Sequence, residues 1–324
     1  RQRVATSTQE TRIMTTTALV IATRDRPEML VQTLESAIRQ TVPFARIVVS
    51  ENSSSDQQRN LTLDALQPFR DQYPDQLCVA IPPRELPSDE HTAYMQEHLL
   101  GDEDYAVLFH DDDLMEPTYH AVLRQVLDEN KDVVAASCNA RTLLGQTLTD
   151  RRTMGAWSGR TEIGSPAELL AAYMDFRSVG PPPLCGYMHR TDILKRLSFS
   201  RVNGGKYSDV AALTQLASWG KIVWLSEAHM QYRIHAGQNS QSVSTRDYRS
   251  LINYLIDNEW LPGTSPLFQS YRFKHLRLKL PTMNKQTKRR SAALIRLYLF
   301  RAVLCTYLFK PGFHLHLARR LFGR

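Results

Sequence analysis

Along this chain, short apolar runs closed by polar clusters alternate with stretches in which apolar residues return every three or four positions. Ala18 to Thr23 is a run of β-forming residues, followed by Arg-Asp-Arg-Pro and then by Glu28 to Gln40, where Leu30, Leu34, Ala37 and Ile38 share one helical face. Ile47 to Ser50 makes a second strand that stops at Glu51-Asn52-Ser53-Ser54-Ser55-Asp56, and helical spacing resumes through Leu66. Leu77 to Ile81 and Tyr105 to Phe109 read as further strands, with a helix over Glu90 to Leu100 between them. Strand and helix in alternation predict an α/β fold: a Rossmann-like, mainly parallel sheet with helices on both faces. In such sheets ligands gather at the carboxyl ends of the strands, where the polar clusters after the first, second and fourth strands fall.

The second half is less regular. A helix is expected from about Glu116 to Asn130, a strand over Val133 to Ser137, and loop or short strands over Thr142 to Gly164. Helices follow at Ser165 to Phe176, Thr191 to Leu197 and Ser208 to Ser218, interrupted by Pro181-Pro182-Pro183 and by the glycine turn Gly204-Gly205. Lys221 to Leu225 and Met230 to Ile234 read as the last two strands. Residues 1–15 are polar, lack the apolar stretch of a signal peptide, and read as a flexible tail.

The 324 residues suffice for one large domain and an appendage. Of the 40 Lys and Arg, 14 fall in residues 261–324, which contain no Asp or Glu. The net charge of +7 therefore divides into a basic tail and a body in which acids outnumber bases. Cys78, Cys138, Cys185 and Cys305 have neither paired nor metal-ligand spacing and read as reduced core residues of a cytosolic protein.

The most informative segment is Phe109 to Pro117, where His110 and then Asp111, Asp112 and Asp113 follow an apolar strand directly. Three adjacent carboxylates repel one another, and a hard divalent cation, Mg²⁺ or Mn²⁺, relieves that repulsion while taking its remaining ligands from phosphate. The alternative is a solvated acidic turn capping the helix near Glu116.

Taken together, Ala18 to Thr23 with Arg26, Ile47 to Asp56, the His110 to Asp113 cluster and Tyr232-Arg233-Ile234-His235 resemble the successive motifs of family 2 glycosyltransferases over roughly residues 17–240. The resemblance implies a GT-A fold over residues 16–260, with a nucleotide-sugar half to about 115 and an acceptor half beyond it. It also implies a nucleotide-sugar donor, a divalent cation and inversion at the anomeric carbon. By this likeness Thr23, Arg26, Glu51 and Asn52 hold the nucleoside, Asp89 contacts nucleoside or sugar or else caps its helix, Asp111 stands in the variable position of the acidic motif among the donor-binding residues, and Arg233 faces phosphate. Asp112 and Asp113 are the metal-binding acids, with His110 where a first Asp often stands, and His235 completes the metal sphere. Asp209, after Gly204 to Ser208, takes the place of the catalytic base or else caps its helix, where the dipole favours the ionised carboxylate. His91-Thr92-Ala93-Tyr94-Met95-Gln96-Glu97 departs from the family pattern. The Pro181 to Gly186 loop, Tyr187, Trp157 and Trp219 are candidates for the acceptor site.

In the tail, Ser291 to Phe309 is nearly long enough to cross a bilayer, but Arg296 and Arg301 interrupt it, each at a cost of about 2.5 to 3.5 kcal/mol. Basic and apolar residues mixed over 285–324 suit amphipathic helices lying on an anionic membrane surface, or a helical hairpin packed on the body or on a second subunit. No nucleic-acid recognition motif accompanies the charge. The reading that follows is a peripheral enzyme on the inner face of the cell membrane, moving a sugar to a lipid-linked glycan acceptor in surface polysaccharide assembly. It works alone, as a homo-oligomer, or beside other assembly enzymes. A nucleotidyltransferase or an inactive sugar-nucleotide-binding or membrane-binding subunit is the alternative; the former lacks its glycine-rich phosphate loop after the first strand.

Overall fold

The computed structural model describes residues 15–155, 159–175, 180–235, 244–263, 265–268 and 270–272, with single positions at 289, 292, 293, 296 and 297. Its elements are β1 (Thr17–Thr23), α1 (Pro27–Ile38), β2 (Arg46–Glu51), α2 (Asp56–Gln72), β3 (Leu77–Ala80), α3 (Ser88–His98), β4 (Tyr105–His110), β5 (Leu114–Met115) and α4 (Tyr119–Glu129). The second half adds β6 (Val133–Leu144), β7 (Thr147–Arg152), β8 (Arg160–Ile163), α5 (Pro166–Met174), β9 (Tyr187–Arg190), α6 (Thr191–Leu194), α7 (Arg201–Gly204), α8 (Ser208–Trp219), β10 (Lys221–Ile234) and α9 (Thr245–Asp257).

Ten strands form one sheet in the order β3-β2-β1-β4-β9-β6-β10-β5, with β7 on β6 and β8 on β10. The strands β3, β2, β1 and β4 run parallel, as do β6 and β10, and β9 lies antiparallel between β4 and β6. Because consecutive strand residues face opposite sides, Leu19 and Ile21 of β1 join one core with Leu30, Leu34, Leu66 and Leu123 of the helices below. Ala18 and Val20 join the other with Met95, Leu194, Leu213 and Leu216 above. Both faces are covered, which is why the strands read as continuous apolar runs. A third cluster packs α5, α8 and α9 through Leu170, Met174, Val210, Leu251 and Leu255, and includes Leu261 and Tyr271.

The mixed α/β sheet agrees with the expectation, and its second half corrects several details. The two strands expected at 221–225 and 230–234 are one strand, β10, bent by irregular register between Leu225 and Met230. The strand expected over Val133 to Ser137 continues to Leu144 and folds back as β7. Strand β9 follows the Pro181 to Gly186 segment and begins at Tyr187, whose ring is wholly buried and so serves the core, not a sugar platform. Trp219 ends α8 at the opposite edge of the sheet, about 15 Å along the helix from Asp209, stacked beneath Arg196. Cys78 is exposed on the edge strand β3, whereas Cys138 and Cys185 are buried as expected. Trp157, Cys305 and nearly all of the basic tail lie outside the described residues.

Candidate active site

Parallel register brings the last residues of β1, β2 and β4 to one edge: Thr23 pairs with Glu51, and Ala22 with His110. The chain leaves β1 through Asp25, whose φ of 55° is left-handed. That strain is held by its own contacts. Asp25 Oδ1 accepts from the Ser54 amide at 2.9 Å, and its amide donates to Ser53 Oγ at 3.3 Å, so the loops after β1 and β2 are tied together. Pro27 then starts α1, and Ser55 caps α2 by accepting from the Gln58 amide.

The three acids after β4 are buried, which removes the solvated-turn alternative; α4 starts instead from Thr118 without a side-chain cap. Each carboxylate has its own partners. Asp111 accepts from the Thr23 hydroxyl at 2.7 Å and the Arg24 amide at 3.2 Å, with Arg26 Nη1 at 3.3 Å. Asp112 Oδ2 accepts from Arg26 Nη1 at 2.6 Å and lies 3.0 Å from His235 Nε2. Asp113 accepts from the Arg233 amide at 2.8 Å through Oδ1 and from the Cys185 thiol at 2.9 Å through Oδ2. Thr33 Oγ1 lies within hydrogen-bonding distance of the carbonyls of both Asp111 and Asp113, at 2.9 and 2.8 Å, which fixes the turn on α1.

This crowding sets the acidities. Burial, reinforced by the neighbouring Asp112 charge, pushes Asp113 up to about 6. Burial also raises Asp111 against the pull of Arg26 and Thr23. Burial would raise Asp112 too, but His110, the hydrogen bond to His235 and Arg26 hold it below the ordinary carboxylate value. Surplus negative charge beside imidazoles and carboxylate oxygens is a donor set that suits Mn²⁺ or Mg²⁺. Nitrogen, oxygen and sulfur ligand atoms of His110, Asp113 and Cys185 also lie within 4.8 Å of one another.

Other expected residues are placed around this cluster. Arg233 is buried beneath it, donating from Nε to the Asp112 carbonyl at 2.7 Å, from Nη1 to the Gly145 carbonyl at 3.0 Å and from Nη2 to Gln32 Oε1 at 2.8 Å. Glu51 accepts from the Ser53 amide at 2.8 Å and from Arg59 Nε at 3.1 Å. Asn52 exchanges two 2.9 Å hydrogen bonds with the backbone of Leu86, holding the loop before α3. Asp89 sits in the first turn of α3, which Pro87 begins, and accepts from the Arg201 amide at 3.3 Å, joining α3 to α7. In the departing segment, His91 lies 2.7 Å from Ser50 Oγ, and burial lowers its pKa to about 4, keeping it neutral.

Asp209 occupies the first turn of α8, which Tyr207 starts with no side-chain cap. Its Oδ1 accepts from the Val210 amide at 2.8 Å. The residue keeps part of its surface open, but protein packs densely around the carboxyl, and burial raises its pKa despite the backbone hydrogen bonds and the nearby charge of His110. Burial thus outweighs the backbone hydrogen bonds at this carboxyl. Gly205, at φ 58°, turns the chain into this helix, and a Cβ there would meet the Asp247 backbone at 2.7 Å. Asp247 Oδ1 accepts from the Lys206 amide at 3.0 Å, and its Oδ2 accepts from the Ser244 amide at 2.7 Å, closing the capping box that starts α9.

Sequence reasoning assigned Cys185 to the core and did not find Arg59 or Gln32. Asp56 and Arg59 at one-turn spacing were the available signal for Arg59; Gln32 and Cys185 acquire their roles only when distant segments meet.

The sequence matches the family described as glycosyltransferase like family 2 over residues 15–212. Among proteins of curated function none matches it. Solved structures share its fold at low identity. Residues 1–349 of TarS from S. aureus superpose with a TM-score of 0.59 at 13% identity, covering 89% of this chain and 81% of that one. GalNAc-T7, in a structure with UDP, GalNAc and Mn²⁺, gives 0.56 at 11% identity, covering 87% of this chain and 55% of that one. The mannosyltransferase PcManGT from Pyrobaculum calidifontis, in complex with GDP-Man and Mn²⁺, gives 0.50 at 13% identity, covering 92% and 86%. The family match spans more than half of the chain, and the parallel edge that gathers the buried acids is the GT-A arrangement, so this chain belongs to the family 2 glycosyltransferases and is itself a glycosyltransferase.

Proposed function

We propose that this glycosyltransferase moves a sugar from a nucleoside diphosphate donor to a glycan hydroxyl with inversion, assisted by a divalent cation and by Asp209 as base. The single observation that carries the reading is the buried Asp112 beside His235 and Arg26 at the carboxyl edge of the sheet, with Asp209 in the first turn of α8, at the end of that helix away from the start of β10. The Mn²⁺ complexes of GalNAc-T7 and PcManGT support the cation, and TarS in complex with UDP-GlcNAc supports the donor class.

Asp112 and His235 would hold the cation, which when bound supplies positive charge to the departing diphosphate. Arg26, about one third exposed, adds a guanidinium on the same side and turns from Asp112 toward phosphate. Thr23, Glu51 and Asn52 form the walls of the nucleoside pocket, kept rigid by Asp111, Arg59 and Leu86. Arg233 acts beneath the site as a positioning residue. Asp89 holds α3 against α7 near the sugar. Asp209 accepts the proton of the acceptor hydroxyl as that oxygen attacks the anomeric carbon, opposite the departing diphosphate, and attack from that side inverts the centre.

A lipid-linked acceptor follows from the basic, apolar tail, which would bring the enzyme to an anionic inner leaflet. Measuring transfer and donor hydrolysis over a panel of nucleotide sugars, with Mn²⁺ and with chelator, tests the reading. Cation-dependent turnover of one donor, lost in Asp112→Asn, is expected; turnover unchanged by chelator would remove the cation, and no turnover of any donor would remove the reaction.

A further inference from the structure

The His110, Asp113 and Cys185 group is not used by the mechanism above, and its chemistry differs from that of the Asp112 and His235 pair. Three segments build it. His110 ends β4 and is exposed, Asp113 is the last of the buried acids, and Cys185 sits fully buried in the helical turn Leu184–Gly186 that leads into β9. Antiparallel pairing of Val107 with Met188 carries that turn back to the end of β4. Gly186 lets it seat closely, since a Cβ there would approach Met230 Sδ at 2.7 Å and Ser137 Oγ at 3.3 Å, and the Gly186 carbonyl accepts from Ser137 Oγ at 2.9 Å. The thiol is thereby fixed against Asp113 Oδ2 at 2.9 Å, while Asp113 Oδ1 is held by the Arg233 amide.

The geometry points to a second cation site in this cleft, made of the His110 imidazole, the Asp113 carboxylate and the Cys185 thiolate, that selects Zn²⁺-like cations over Mg²⁺. Ligand atoms at about 2.0 to 2.3 Å from a tetrahedral ion lie roughly 3.3 to 3.8 Å apart, which is inside the 4.8 Å that bounds the observed group. A nitrogen, an oxygen and a sulfur ligand match borderline-soft ions, whereas Mg²⁺ asks for oxygen alone. The exposed imidazole provides the entry path, and the Cys185 proton leaves to solvent as the ion binds. Asp112 Oδ2 is engaged by Arg26 and His235, so the two ligand sets are separate. The site does not depend on the assignment of Asp209 or of the donor.

Co²⁺ reports directly, because a thiolate ligand gives an intense sulfur-to-metal absorption band in the near ultraviolet. Titrating the full-length protein with Co²⁺, without donor or acceptor, should produce that band, and Zn²⁺ should displace it. Cys185→Ser should lose the band and weaken Zn²⁺ binding at least about tenfold, and Asp112→Asn should keep both. His110→Ala, at an exposed position where folding is not at stake, should lose the band as well. Co²⁺ binding without the band, or a band that survives in Cys185→Ser or His110→Ala, would overturn the thiolate site while leaving the cation-assisted transferase intact. A band abolished by Asp112→Asn would overturn the separation of the two sites, and no Co²⁺ binding at all would remove both.

Discussion

Asp111, Asp112 and Asp113 are neighbours in sequence and chemically unlike in the fold. Thr23 and Arg24 engage Asp111, His110, His235 and Arg26 hold Asp112 below the ordinary carboxylate value, and Asp113 is turned toward Cys185. The acidic run was legible because it interrupts an apolar strand, but the division of labour was not, since Arg26, Cys185 and His235 lie far apart along the chain. Asp209 was legible only through the family pattern around it. Its acidity was not, because desolvation depends on the packing of α8 against α5 and α9. A carboxyl with a raised pKa is a proton acceptor only above that value. Transfer should therefore fall as the pH drops through a point above the ordinary Asp value of about 3.9, and a pH profile of kcat, checked for cation saturation at each pH, reads it. A limb at the ordinary value would place the controlling carboxyl elsewhere.

Among the elements, β1, β2, β4, α1 and α4 follow their apolar spacing closely, for their faces are decided by local periodicity. Strand β9 does not. Four residues between a proline-rich stretch and a short helix carry too little pattern, and the strand exists because β4 and β6 both hydrogen-bond to it. The irregular pairing in β10 likewise hid a single strand behind two apolar runs. The entry to α8 depends on Gly205 alone for its left-handed turn and its contact with Asp247. Gly205→Ala should destabilise the fold by about 1 to 3 kcal/mol and shift Asp209 enough to lower kcat, measured by thermal melting and initial rates. An unchanged melting temperature would show that α8 tolerates another approach. Removing the buried guanidinium clamp in Arg233→Ala should cost about 1 to 3 kcal/mol, since the Asp112 and Gly145 carbonyls and Gln32 lose their donor while the backbone amide bond to Asp113 stays. Denaturant unfolding measures that loss, and a change below about 1 kcal/mol would count against the clamp.

At the scale of the molecule, a sheet covered on both faces leaves its carboxyl edge as the place where polar groups from many segments meet, and the candidate site lies there. Among the described residues no helix is long and apolar enough to cross a membrane. The basic tail is a matter of composition, and its charge predicts that deleting residues 285–324 releases the protein from vesicles of anionic lipid in a sedimentation assay. Binding that persists without the tail would place the membrane contact on the body. The central claim is narrower: one cleft holds the activated sugar, and Asp209 removes the acceptor's proton. Its most direct measurement compares donor affinity by calorimetry with the transfer rate in Asp209→Asn. The account predicts nearly unchanged donor binding and a transfer rate lower by at least about 100-fold. Transfer at the unsubstituted rate would contradict it.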